Sequence, residues 1–220
     1  MPDQGNTNLI EFSSWTLRIR EASQQPSRLM LLIHGLTGDE NSMWVFARNM
    51  PAQYWMVAPR GTYKAQPSGY SWRDQAPSSP SERPSLDQLR TSADALIRLV
   101  DEYAASVRID ASTFDLMGFS QGAAMSNVLA FLYPQRVRKV GILAGFVPSG
   151  LEELAPRRPL EGKPFFVTHG TKDETVPVDR ARTSIAILEE AGAQVTYCED
   201  DVAHKVSVTC LRALHDFFTD

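Results

Sequence analysis

The sequence predicts an α/β fold, a mostly parallel central sheet with helices on both faces, on the strength of three observations. Strand-like apolar runs alternate with helix-like stretches through most of the 220 residues, the order in which βαβ units are built. Leu29-Met30-Leu31-Leu32-Ile33 is continuously apolar, as strands buried on both faces are. The pattern Gly118-Phe119-Ser120-Gln121-Gly122 stands between the apolar run Phe114-Asp115-Leu116-Met117 and the small residues Ala123-Ala124-Met125-Ser126. A serine on a sharp strand-to-helix turn needs glycines on both sides to relieve backbone crowding.

Taken in chain order, Trp15 to Arg20 alternates apolar and polar positions and predicts an outer strand, with Leu29 to Ile33 a buried one, so that a meander opens the fold. Asn41 to Met50 predicts a short helix, and Tyr54 to Ala58 a strand that Pro59 ends. From Arg60 to Pro84 the composition shifts to Gly, Pro, Ser and Gln, with Pro67, Pro77, Pro80 and Pro84 opposing regular structure, which predicts a long surface loop. Between Ser92 and Val107 the residues Leu96, Ile97, Val100, Ala104 and Val107 recur at helical spacing. After the serine turn and its helix, strands are expected at Val137 to Leu143, Pro164 to Thr168 and Gln194 to Tyr197. Helices are expected at Val178 to Ala191, stopped by Gly192, and at Val206 to Phe218.

A chain of this length fits one domain, residues 1–220, able to bury about 70% of its unfolded surface. The formal net charge of −4 and the absence of a basic patch argue against nucleic acid as a partner. The first residues, Met1-Pro2-Asp3-Gln4-Gly5-Asn6, lack a basic segment followed by an apolar run, and no stretch approaches the ~20 apolar residues of a membrane span. No stable membrane insertion and a cytoplasmic location are the expectation. Cys198 and Cys210 form no C-x-x-C pair and read as ordinary reduced thiols, in keeping with that compartment.

A serine hydroxyl is a poor nucleophile at neutral pH. It needs an imidazole to take its proton and a carboxylate to fix the imidazole's tautomer, in the chain order serine, acid, histidine. Of four histidines, His34 precedes Ser120, His215 lies beside the apolar face of the last helix, and His169 precedes the favoured acid. His204, in a polar loop before the last helix, is the candidate base. Eleven carboxylates lie between Ser120 and His204. Asp173 stands out because it follows the apolar run Phe165-Phe166-Val167-Thr168, at the carboxyl end of a strand where open α/β sheets place their chemistry. Glu174, Asp200 and Asp201 are the neighbouring alternatives, and a helix-capping role is the competing account of Asp173.

The developing oxyanion needs backbone N–H donors. One follows the nucleophile, at Gln121, and the other is expected at Leu36 in Ile33-His34-Gly35-Leu36-Thr37-Gly38-Asp39-Glu40. Both phosphate-cradling glycine patterns are absent, as are H-E-x-x-H and paired cysteines, so no metal and no cofactor is assigned.

Six segments together carry a resemblance over nearly the whole chain. They are Leu32 to Asp39, Ala58-Pro59-Arg60-Gly61, Tyr70-Ser71-Trp72-Arg73-Asp74, Gly118 to Gly122, His169 to Pro177 and Ala203-His204. The sequence resembles the phospholipase/carboxylesterase family of compact α/β-hydrolases, which includes acyl-protein thioesterases and small bacterial carboxylesterases. The resemblance implies an α/β-hydrolase fold, with Ser120, Asp173 and His204 as catalytic triad and the N–H groups of Leu36 and Gln121 as oxyanion hole. It also implies that Trp72 comes close to the site and shapes the acyl pocket. Where thioesterase-like members carry a further glycine after the serine turn, this chain has Ala123, and His204 is followed by Lys205.

Only Gly145 to Gly162 separates two successive strands, too short for a large cap domain, so the site is expected to be open, with Phe146, Val147, Pro148 and Leu151 as candidate walls. An uncapped site suits a small-molecule ester with a short or medium acyl chain. An acyl thioester and a lysophospholipid are the alternatives, and a non-catalytic module on the same fold is the reading from another class. Nothing in the sequence excludes a homodimer.

Overall fold

The computed structural model describes residues 7–74 and 84–219. Pro77 and Pro80 of the expected loop, and the first six residues, lie outside them. Eight strands form one sheet in the order β1-β2-β4-β3-β7-β8-β9-β10. β1 (Asn8–Phe12) and β2 (Trp15–Arg20) pair antiparallel, and β2 runs antiparallel to β4 (Tyr54–Pro59). From β4 onward the sheet is parallel through β3 (Arg28–Ile33), β7 (Phe114–Phe119), β8 (Val137–Leu143), β9 (Pro164–Gly170) and β10 (Gln194–Asp200).

The expected opening meander is replaced by a crossing. β3 leaves β2 and inserts between β4 and β7, because a strand apolar on both faces belongs in the sheet's interior. Its side chains divide by parity. Leu29, Leu31 and Ile33 join the core formed with α2 (Leu86–Val107) and α3 (Gln121–Leu132), whereas Met30 and Leu32 join the core formed with α1 (Trp44–Ala47) and α5 (Val208–Thr219). α4 (Val178–Glu190) packs beside β9 and β10. Helices therefore cover both faces, and both faces are buried.

The helix expected over Asn41 to Met50 is the short α1, and other elements differ from expectation as well. α2 begins at Leu86, well before Ser92, because Ser85 and Gln88 form a capping box: the Ser85 Oγ accepts from the Gln88 N–H at 3.3 Å and the Gln88 Oε1 accepts from the Ser85 N–H at 3.1 Å. The segment expected as a loop from Arg60 carries a small hairpin, β5 (Tyr63–Lys64) with β6 (Tyr70–Ser71). Ser71 at its end, and Trp72 and Arg73 directly after it, are buried. β1, an edge strand with weak alternation, has no counterpart in the sequence reading.

The reading of two reduced thiols is corrected. Cys198 near the end of β10 and Cys210 in the first turn of α5 form a disulfide, their Cα atoms 5.6 Å apart. The chain reverses between β10 and α5, which brings two cysteines twelve positions apart in sequence within bonding reach. The enclosed loop contains His204, and the thiol argument for a cytoplasmic location falls with the correction. Among the described residues no helix is long and apolar enough to cross a membrane.

Candidate active site

β7 delivers Ser120 to the top of the sheet, and the local chain is built for the turn. Ser120 sits at φ 53°, ψ −115°, a conformation costly for a residue with a Cβ. Its N–H donates to the Leu143 carbonyl at 2.9 Å and its carbonyl accepts from the Ala124 N–H at 3.1 Å, so both sides of the strained residue are tied down. The flanking glycines serve close approach. A Cβ on Gly118 would lie 2.2 Å from the Gly122 carbonyl oxygen, and one on Gly122 would lie 2.0 Å from that of Ile33. α3 then runs back through the core with every residue from Gln121 to Phe131 buried.

Asp173 and His204 come together from different loops. Asp173 follows β9 and is 5% exposed. One carboxylate oxygen accepts the N–H groups of Thr175 at 2.9 Å and Val176 at 2.8 Å, and the other receives the His204 Nδ1–H at 2.6 Å. A carboxylate at Nδ1 fixes the proton there and leaves Nε2 as the basic nitrogen. The His204 ring packs against Phe119, centroids 5.0 Å apart, and His204 and Ser120 line the same cavity. The alternative acids are engaged elsewhere or open to solvent: Asp201 pairs with Lys172 at 2.7 Å, Asp200 turns back on the Asp201 N–H, and Glu174 is exposed.

His169, set aside on chain order, lies under this pair. Its Nε2–H donates to the Val176 carbonyl at 2.7 Å, and the same nitrogen is 3.3 Å from the Asp173 carboxylate. It braces the acid's loop from below. The i, i+4 spacing of His169 and Asp173 at a strand end was the signal available in sequence. His215 accounts for itself through packing, with Nε2 against the Phe46 carbonyl at 3.0 Å.

The loop after β3 brings Leu36 to the cavity opposite the start of α3. The Thr37 N–H donates to Tyr70 O at 2.9 Å and the Gly38 N–H to Gly35 O at 3.1 Å, while among the described residues the Leu36 N–H meets no acceptor. His34 anchors the loop's root. Its Nε2 accepts the Gly61 N–H at 2.9 Å, so Nδ1 carries the proton and donates to Gly35 O at 2.7 Å. Burial holds the imidazole below its ordinary pKa, against smaller opposing contributions from the Gly35 carbonyl and from Asp39 and Glu40.

Trp72 stands behind the cavity wall and does not line it. It is fully buried, its Nε1–H donates to the His34 carbonyl at 2.8 Å, and its rings lie 4.9 Å from the imidazole. Its backbone N–H donates to the Gln121 side-chain oxygen at 2.9 Å, so Gln121 latches the hairpin segment to α3. Phe146 lines the cavity, held by the Asn127 amide on its carbonyl at 3.0 Å. Val147, Pro148 and Leu151 are buried away from it, because the Val147 N–H is drawn to the Ser184 hydroxyl at 2.8 Å. Two cationic residues that sequence reasoning missed, Arg73 and Arg180, line the cavity of about 570 Å³.

Comparisons with known proteins agree with this architecture. Residues 16–220 match a family model described as phospholipase/carboxylesterase. An acyl-protein thioesterase 1 from Debaryomyces hansenii is 26% identical over 93% of this chain and 95% of its own. Among solved structures, the Bacillus cereus carboxylesterase superposes with TM-score 0.81 at 21% identity over 94% of each chain. A carboxylesterase from Mesorhizobium loti gives 0.81 at 20% identity over 97% of this chain and 99% of its own. At such identities the superpositions speak for the fold, and the α/β-hydrolase fold is what they share.

Proposed function

Because this chain belongs to the phospholipase/carboxylesterase family of hydrolases, we propose that it is a serine carboxylesterase acting, as one domain, on small esters of short or medium acyl chain. The observation that carries the reading is the Asp173–His204 hydrogen bond at 2.6 Å, on a cavity that Ser120 also lines.

His204 Nε2 takes the proton of the Ser120 hydroxyl as its oxygen attacks the ester carbonyl. The oxyanion that forms is met by the N–H groups of Leu36 and Gln121, donors already held in place and so free of reorganisation during the reaction. Collapse expels the alcohol, protonated by the imidazolium, and leaves an acyl group on Ser120. Water, deprotonated by the same nitrogen, releases the acid. Asp173 stabilises the imidazolium in both halves without itself taking the proton.

The walls at Leu36, Val45, Phe46, Phe119, Phe146 and Val176 are apolar and suit an acyl chain. Acyl thioesters are the second reading, favoured by the thioesterase that matches most of this chain. Hydrolysis of a chain-length series of p-nitrophenyl esters beside acyl thioesters tests both, with Ser120→Ala as control. Parental rates in the alanine variant would remove Ser120 from the mechanism, and a fluorophosphonate probe should label Ser120 alone.

A further inference from the structure

The charge on the cavity wall is of one sign. Among the described residues that line it, Arg73 and Arg180 are cationic and none is a carboxylate, although the chain as a whole carries a formal net charge of −4. A cationic cleft in an acidic protein concentrates anions where the rest of the surface repels them.

The two arginines have different settings. Arg73 is 7% exposed and its Nη1 donates to the Gln88 side-chain oxygen at 2.7 Å, which ties it to the capping box of α2. Arg180 is exposed on the first turn of α4. Among the described residues its guanidinium enters no ion pair and no side-chain hydrogen bond, whereas the adjacent Asp179 is taken by Arg182 at 3.2 Å and Arg182 by Glu199 at 2.9 Å. Arg180 also borders a second groove of about 280 Å³, whose other walls are Phe146, Asp179, Thr183 and Ser184. Phe146 and Arg180 are thus the common boundary between the cavity of Ser120 and this side groove.

A guanidinium based on a regular helix and lining the same cavity as Phe146 presents a planar fork that matches a carboxylate in bidentate fashion. We infer that Arg180 is a specificity-determining residue that binds a carboxylate carried by the ester substrate, so that half-esters of dicarboxylic acids and similar anionic esters are the preferred class. The inference rests on the esterase reading above. The carboxylate resides on either the acyl or the alcohol side of the ester, and both place an anion at the same guanidinium.

Two matched pairs distinguish the sides: monoethyl against diethyl glutarate for the acyl side, and 4-carboxyphenyl against phenyl butyrate for the alcohol side. In one pair the anionic member should be preferred, and Arg180→Gln should reduce its kcat/KM relative to the neutral member about tenfold, mainly through KM. Arg180→Lys should restore part of that selectivity. Equal losses on both members, or no change in either pair, overturn the inference. If the parent protein hydrolyses none of the four, it is the esterase reading that falls. Calorimetry on Ser120→Ala then decides the subsite, since in one of the two pairs the anionic member should bind more tightly than its neutral partner and lose that advantage with Arg180→Gln. Equal affinities in both pairs overturn it.

Discussion

His204 Nδ1 and one oxygen of Asp173 meet at 2.6 Å across 31 positions of sequence, while the other Asp173 oxygen holds the N–H groups of Thr175 and Val176. The carboxylate is thus held by its own loop through one oxygen, and the other is left to orient the ring. That division of labour makes the two halves of the residue separately testable.

Asp173→Asn can keep an oxygen toward Thr175 and Val176 while presenting an amide N–H₂ to His204, which favours the wrong tautomer. The variant should fold with a melting temperature near the parent's and lose about 10⁴-fold in kcat. Circular dichroism and ester hydrolysis measure the two, and undiminished turnover would remove Asp173 from the proposed mechanism.

Gly122→Ala places a methyl 2.0 Å from the Ile33 carbonyl and 2.6 Å from that of His34. Both are backbone atoms at the end of a central strand, and neither can rotate away. The expected cost is at least about 1–3 kcal/mol in urea denaturation, with activity falling because Gln121 and its N–H move with the glycine. Parental stability would mean that the β3 end is more pliant than its central position in the sheet suggests.

Trp72→Phe removes the Nε1–H donated to the His34 carbonyl but keeps most of the buried ring. A stability loss of about 0.5–1.5 kcal/mol is expected for the bond, together with a fall in kcat larger than any rise in KM, since the loop it holds carries Leu36. If KM alone rises, Trp72 serves the substrate directly and not through that loop.

His34 predicts an acid-side instability. Its folded pKa is depressed, by burial first, so below the ordinary histidine value of about 6.5 the unfolded chain takes up a proton that the folded chain refuses. Unfolding then binds protons and stability rises with pH over that window. The contribution is constant above about pH 6.5 and falls away as acid is added. Urea midpoints for the parent at pH 7.5 and 5.5 should differ more than those for His34→Gln, and equal differences would mean that His34 does not carry the effect.

Much of this architecture was legible in local pattern. Leu29 to Ile33 is apolar at every position, as a strand buried on both faces requires. The glycines at 118 and 122 mark a turn because their absent Cβ atoms let α3 pack closely on β7 and against the end of β3, while chain order and the strand end before Asp173 made Ser120, Asp173 and His204 the candidates. The start of α2 lies earlier than its predicted start at Ser92 because Ser85 and Gln88 cap it and Leu86 and Leu89 already carry the buried spacing that Ala93 and Leu96 continue.

Local pattern was therefore enough for the class of fold, for Leu29 to Ile33 as a buried strand and for the residues that could carry serine chemistry, all of which depend on neighbours within a few positions. Tertiary structure alone decided which strands pair, that β3 lies inside β4, and that Cys198 meets Cys210. It also set Trp72 behind the cavity wall and His169 beneath Asp173, and it left Arg180 at the common edge of two cavities. Each of these is a contact between segments distant in sequence, and the free energy that selects it comes from shared burial and hydrogen-bond satisfaction across the whole core, a quantity that no local window contains.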